Sequence, residues 1–165
     1  MAGLTLPKFT PSALLRRLVE GGVDFVVIGG IAAVAHGSVT FTQDLDICYA
    51  TDEENLDRLG AVLVAADARL RGVTDDVPFV PDGRTLRRTR VLTLATPHGP
   101  LDLLAGPDGA PAYAQLRERA VKEEVGGVEV MIAGLEDLIA MKKAAGRPKD
   151  LVAVEELEAI RRLSG

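Results

Sequence analysis

Little in this chain supports recognition by aromatic stacking or stabilisation by cross-links. It has no tryptophan, two tyrosines and four phenylalanines in 165 residues, so modules that read unpaired bases on aromatic platforms lose their main tool. The single cysteine, Cys48, excludes an internal disulfide framework and fits a reducing compartment. Set among apolar neighbours, it reads as a small buried filler rather than a reactive thiol. Positive charge is also short. With 19 Lys and Arg against 24 Asp and Glu, the net charge is -5, which is not the balance of a general polyanion binder.

Long apolar runs are missing too. Residues 23–35 are broken by glycines and too short to span a membrane, and the opening MAGLTLPKFTPSALLRRL has no basic segment followed by a long apolar stretch. A cytoplasmic protein without a membrane partner is expected. What the chain does have is 47% apolar residues, enough for one domain, residues 1–165, with its own core and a C-terminal helical segment from about residue 134 to 165.

The elements alternate. Pro11 followed by SALLRRLVEGG predicts a helix with Leu14, Leu15 and Leu18 on its inner face, capped at Thr10-Pro11 and ended by Gly21-Gly22. VDFVVIG lacks alternation, as expected of a central strand covered on both faces. IAAVAHG predicts a short helix, SVTFTQ a polar connection, and DLDICYA a second strand with Asp44 and Asp46 on one face and Leu45, Ile47 and Tyr49 on the other. Residues 51–72 predict one amphipathic helix capped by Thr51 or Asp52. VLTLAT and PLDLLA predict strands joined by a turn at residues 97–100. A helix over 110–120, a strand in GGVEVMIAG, and helices in LEDLIAMKKAAG and RPKDLVAVEELEAIRRL complete the chain, the last with Leu151, Val154, Leu157 and Ile160 as its apolar positions. The expected class is α/β or α+β, a central mixed β-sheet flanked by helices.

Two carboxylates at neighbouring same-face positions of a strand repel each other and are costly to desolvate. A divalent cation compensates them, since Mg²⁺ accepts one or two carboxylates and completes its shell with water and substrate phosphate oxygens. Gly29-Gly30, between a strand and a helix, would let a phosphate approach the backbone closely. Either feature alone is commonplace; their order is what carries weight.

That order, apolar strand, Gly29-Gly30, short helix, polar loop and Asp44-Leu45-Asp46, resembles the nucleotidyltransferase superfamily that includes DNA polymerase beta. The resemblance implies a third acidic residue on a later strand, and Asp102 in GPLDLLAG matches it. LEDLIAMKKAAGRPKDLVAVEEL is similar to the C-terminal segment of the small AbiEii and MenT-type nucleotidyltransferases, toxins of bacterial toxin–antitoxin pairs. In that group a helix-borne lysine contacts nucleotide phosphate and an aspartate follows; Lys142 and Asp150 match these, with Arg147 and Lys149 as further basic candidates. The likeness spans roughly residues 12 to 160. It departs in residues 38–43, SVTFTQ, where many relatives carry an arginine.

The resemblance implies a nucleotidyltransferase fold and an enzyme that transfers a nucleoside monophosphate from a nucleoside triphosphate such as ATP to an acceptor, releasing pyrophosphate. Asp44, Asp46 and Asp102 would hold two Mg²⁺ ions, or Mn²⁺ in their place. Asp102 would also assist deprotonation of the acceptor; Gly29, Gly30, Lys142 and Asp150 would bind nucleotide. RNA, a tRNA 3′ end in particular, is the implied acceptor, and a cognate antitoxin the implied partner. A small aminoglycoside-like acceptor, AMP transfer to a partner protein, and a non-catalytic nucleotide-binding module remain as alternatives. His36 beside the glycine turn reads as a structural cap or a phosphate contact, His98 as a turn residue. Arg84, Arg87, Arg88 and Arg90 form the densest basic cluster, either a path for a polyanion or a charged edge strand.

Overall fold

The apolar run before the glycine pair becomes the middle of the sheet. In the computed structural model, which describes residues 9–73 and 80–164, β1 (Phe25–Ile28) is buried at every position. β2 (Leu45–Tyr49) pairs with it antiparallel, and β5 (Gly99–Leu104) joins β2 in parallel register. β4 (Val91–Thr96) and the short β3 (Arg69–Leu70) extend that side by antiparallel pairing. On the other side β7 (Val128–Ile132) runs parallel to β1, and β6 (Val121–Val125) closes the edge antiparallel to β7. The order β3-β4-β5-β2-β1-β7-β6 makes a seven-stranded mixed sheet, the expected class. The strands nearest its centre are the apolar ones, because only they are covered on both faces.

Helices pack around this sheet. α1 (Pro11–Glu20) buries Leu14, Leu15 and Leu18 as its spacing requires. Pro11 starts it; the Thr10 side chain makes no capping bond, and the Thr10 amide instead donates to His98 O at 2.8 Å. α2 (Gly29–Ala35) rests on β1 and β2, beginning at the glycine pair itself. α3 (Glu53–Ala65) is capped by Asp52, whose carboxylate accepts from Asn55 N, with Glu53 and Glu54 in the first turn. α5 (Tyr113–Arg119) is anchored by the fully buried Leu116, a burial that contributes about 2 kcal/mol. α6 (Leu135–Ala145) and α7 (Pro148–Ser164) pack against each other, and α6 also meets α2. Among the described residues no helix is long and apolar enough to cross a membrane.

Three expectations need correction, and one strand was not foreseen. The helix expected over 51–72 stops at Ala65; Asp67 turns the chain at a φ of 53°, and Arg69–Leu70 becomes the edge strand β3. The arginine cluster is not a strand edge: Arg84 and Arg87 lie in the short helix α4 (Gly83–Arg87), whose cap Asp82 accepts from Thr85 N. β6, with the sequence VKEEV, went unanticipated because both its faces are open to solvent, so no apolar alternation marks it. On α7, Val154 and Leu157 are buried as expected, but Leu151 is exposed and its neighbour Asp150 is buried instead.

Candidate active site

The three acidic residues singled out in the sequence converge. Asp46 sits on β2 beside Ile28 of β1 on one side and Asp102 of β5 on the other, in direct register with both. Asp44 precedes β2 by one residue, two positions from Asp46, and lines the same cleft. The parallel β2–β5 pairing matters here, because a slip of one residue would turn Asp46 and Asp102 to opposite faces.

The glycine pair has a local reason beyond substrate access. A Cβ on Gly29 would stand 2.0 Å from Asp46 Oδ2, and its φ of 72° disfavours any side chain. A Cβ on Gly30 would stand 2.7 Å from Thr42 Oγ1. The two glycines thus make room for the carboxylate and for the loop that leads to it, while leaving one wall of the cleft bare.

Crowding of acids in a half-buried place has an electrostatic price. The Asp46 carboxyl is pushed up to about 7, first by burial, then by the charge and hydrogen bond of Asp102 and the charge of Asp44, with Lys142 opposing. Such a cluster suits an oxygen-seeking divalent cation, and the donor chemistry of Asp44, Asp46 and Asp102 fits Mg²⁺ or Mn²⁺. Yet among the described residues no three acidic, histidine or cysteine side chains are arranged as a closed metal cage. Asp102 is engaged elsewhere: its Oδ1 accepts from Arg71 Nη2 at 2.5 Å.

The opposite wall comes from α6 and α7. Lys142 lines a cleft of about 1260 Å³ together with Gly29, Gly30 and the three carboxylates. Asp150, 1% exposed, accepts from Arg147 Nε at 2.6 Å and lies 3.5 Å from Lys142 Nζ. The Arg147 hydrogen bond, with further help from the Arg147 amide and the Lys142 charge, holds its carboxyl below the usual range. Asp150 therefore sits behind the cleft's basic groups and ties them to the start of α7. At the mouth, Glu156 of α7 fastens the polar loop: it accepts from Ser38 Oγ at 2.5 Å and from Val39 N and Thr40 Oγ1 at 3.3 Å each.

Other candidates fall outside this chemistry. His36 ends α2, and its Nε2 lies 2.8 Å from Ala133 O, a structural tie. His98 stays in the β4–β5 turn. Cys48 is buried, with its thiol pushed up to about 11 by burial, and so is unreactive. Lys143 pairs with Glu158. Of the arginine cluster only Arg90 lines the cleft; Arg87 pairs with Glu53 and Asp57 on α3. Arg71 and Glu156 escaped sequence reading. Arg71 lay in a stretch that looked helical, and Glu156 looked like any solvated helix acid.

No family model matches the sequence, and no curated protein matches it. Solved structures match the fold. The lincomycin-bound crystal structure of the lincosamide antibiotic adenylyltransferase LnuA superposes at a TM-score of 0.62 and 13% identity, over 93% of this chain and 99% of that one. The crystal structure of ANT(2'')-Ia in complex with adenylyl-2''-tobramycin gives 0.56 and 18%, over 93% of each chain. An antigenic nucleotidyltransferase-like protein from Paracoccidioides brasiliensis gives 0.52 and 18%, over 92% of this chain and 73% of that one. At such identities the likeness is one of fold, and the chain has the fold of the nucleotidyltransferases.

Proposed function

We propose that this protein is a divalent-metal-dependent nucleotidyltransferase that moves a nucleoside monophosphate from a nucleoside triphosphate to a hydroxyl acceptor and releases pyrophosphate. The observation that carries the reading is the register of Asp46 beside Asp102, with Asp44 and Lys142 on the same cleft. Asp44, Asp46 and Asp102 would hold the cation. When bound, it would acidify the acceptor hydroxyl and neutralise charge on the leaving pyrophosphate. Asp102 accepts the hydroxyl proton as the new oxygen–phosphorus bond forms and the bond to pyrophosphate breaks. Lys142 holds phosphate charge, Asp150 aims Lys142 and Arg147, and bare backbone at Gly29 and Gly30 lets the phosphates approach.

Two acceptor classes deserve separate arms. A small hydroxylated acceptor is favoured by the charge of the cleft, where Asp108 and Glu156 add to the three carboxylates and only Arg90 of the arginine cluster takes part. The antibiotic ligands of the fold neighbours point the same way. RNA, and with it a toxin role and an antitoxin partner, is favoured by the Lys142 to Asp150 segment and by the exposed Lys149 and Arg147 on the cleft.

The test is incubation with Mg²⁺ and each of four α-³²P nucleoside triphosphates, offering total RNA, total protein and a panel of aminoglycosides and lincosamides in parallel. Label is expected on one class, and D46A should reduce it at least about 100-fold. The labelled class names the acceptor. If folded wild-type protein neither binds a nucleoside triphosphate nor transfers label from one, the proposal fails.

A further inference from the structure

We propose that Arg71 is a resident counter-ion of the carboxylate cluster, a positioning residue that holds Asp102 while no cation is bound and yields it when a divalent cation enters with nucleotide. This rests on the nucleotidyltransferase reading of the same cleft. Three observations converge on it: the three carboxylates line one cleft, Asp102 is turned toward an arginine, and the buried Nε of that arginine has no hydrogen-bond partner among the described residues.

The placement follows from the sheet. Thr93 of β4 stands beside Asp102 in the ladder, and the Arg71 amide donates to Thr93 O at 3.0 Å. Arg71 thereby extends the row Asp46, Asp102, Thr93 by one further position, just past the end of β3. Its Nη2 donates both to Leu94 O at 3.0 Å and to Asp102 Oδ1, while its Nε is buried with no hydrogen-bond partner among the described residues.

A guanidinium can bind a carboxylate through two parallel donors, which is its strongest mode. Here a single nitrogen serves two acceptors and Nε serves none among the described residues. The contact is short enough to neutralise Asp102 but lacks the paired geometry that would make it hard to exchange. A fixed positive charge and an incoming cation that draw on the same carboxylate weaken each other's hold by the same factor, as linkage requires. Arg71 therefore keeps the metal-free cluster from flying apart and sets the threshold above which a cation displaces it.

Mn²⁺ titration followed by electron paramagnetic resonance, with and without a non-hydrolysable nucleoside triphosphate, tests this on the full chain. R71Q should bind Mn²⁺ about three- to tenfold more tightly than wild type, whereas R71K, which keeps the charge, should stay within about twofold. Metal-free R71Q should also melt below wild type, with the gap narrowing at saturating Mn²⁺. Equal or weaker Mn²⁺ binding by R71Q overturns the counter-ion role while leaving the enzyme reading intact. If wild type binds no Mn²⁺ even with nucleotide, both fall. Should R71Q not fold, the side-chain Nε–H resonance of Arg71 in wild type decides instead: it should move when Mg²⁺ and nucleotide are added together, and a stationary resonance overturns the proposal.

Discussion

Gly29 shows how tightly single residues are set in this site. Its backbone is left-handed and the space a side chain would need is filled by the Asp46 carboxylate. G29A should therefore lose stability twice, by backbone strain and by displacing Asp46, for about 2–4 kcal/mol in urea unfolding. G30A meets only the Thr42 side chain and has no positive φ, so about 1–2 kcal/mol is expected with the loop shifted. A G30A variant as damaged as G29A would contradict this ranking. At this scale Asp44 and Asp46 were easy to find, because they interrupt an otherwise apolar stretch where charge is anomalous, whereas Asp102 was matched only because the resemblance implies a third acid on a later strand. Arg71 was missed, since an arginine at a loop end is anomalous nowhere.

Among elements, the loop of residues 38–43 depends most on a distant partner. It has no regular structure, and Val39 and Phe41 are exposed, yet three hydrogen bonds to Glu156 hold its start. The Ser38 hydrogen bond, the largest cause, also holds the Glu156 carboxyl below its usual range. The clamp should accordingly persist in mild acid and be lost only as pH falls through that depressed value. E156Q should speed amide hydrogen exchange at Val39 and Thr40 by about tenfold while leaving β1 and β2 protected. Unchanged exchange would mean that the loop is held by other contacts. The central elements were legible because burial on two faces leaves a continuous apolar run, and α6 ended at Gly146 as its sequence indicates. β3, β6 and α4 were not, being short or peripheral pieces whose pairing is decided by neighbours rather than by their own pattern.

For the whole molecule, the carboxylate cluster becomes a pH-dependent load on folding. Asp46 is raised from its unfolded value near 4 to about 7, so between those limits the folded state binds the extra proton. Its contribution is full below about pH 4 and disappears as pH rises through 7. Relative to D46N, metal-free wild type should therefore lose stability, on the order of a few kcal/mol, as pH rises from 4 to 8 in denaturant unfolding. Saturating Mg²⁺ should flatten that slope, because a cation favours the ionised form. Parallel curves for wild type and D46N would rule out the raised carboxyl.

The chain's local pattern was enough to establish a mixed sheet with flanking helices, a glycine turn after the central strand, and a pair of acids where acids should not be; the third, Asp102, came with the family resemblance. These are properties of short windows, in which periodicity, β-branching and a misplaced charge can be read directly. Which acids meet was decided only by tertiary structure. Asp46 and Asp102 are distant in sequence and become neighbours through the parallel pairing of β2 with β5, and such register is chosen by the packing of both faces at once. The same holds for Arg71 on Asp102 and Glu156 on Ser38: each is a bond between a commonplace residue and a partner that only the folded chain brings within reach.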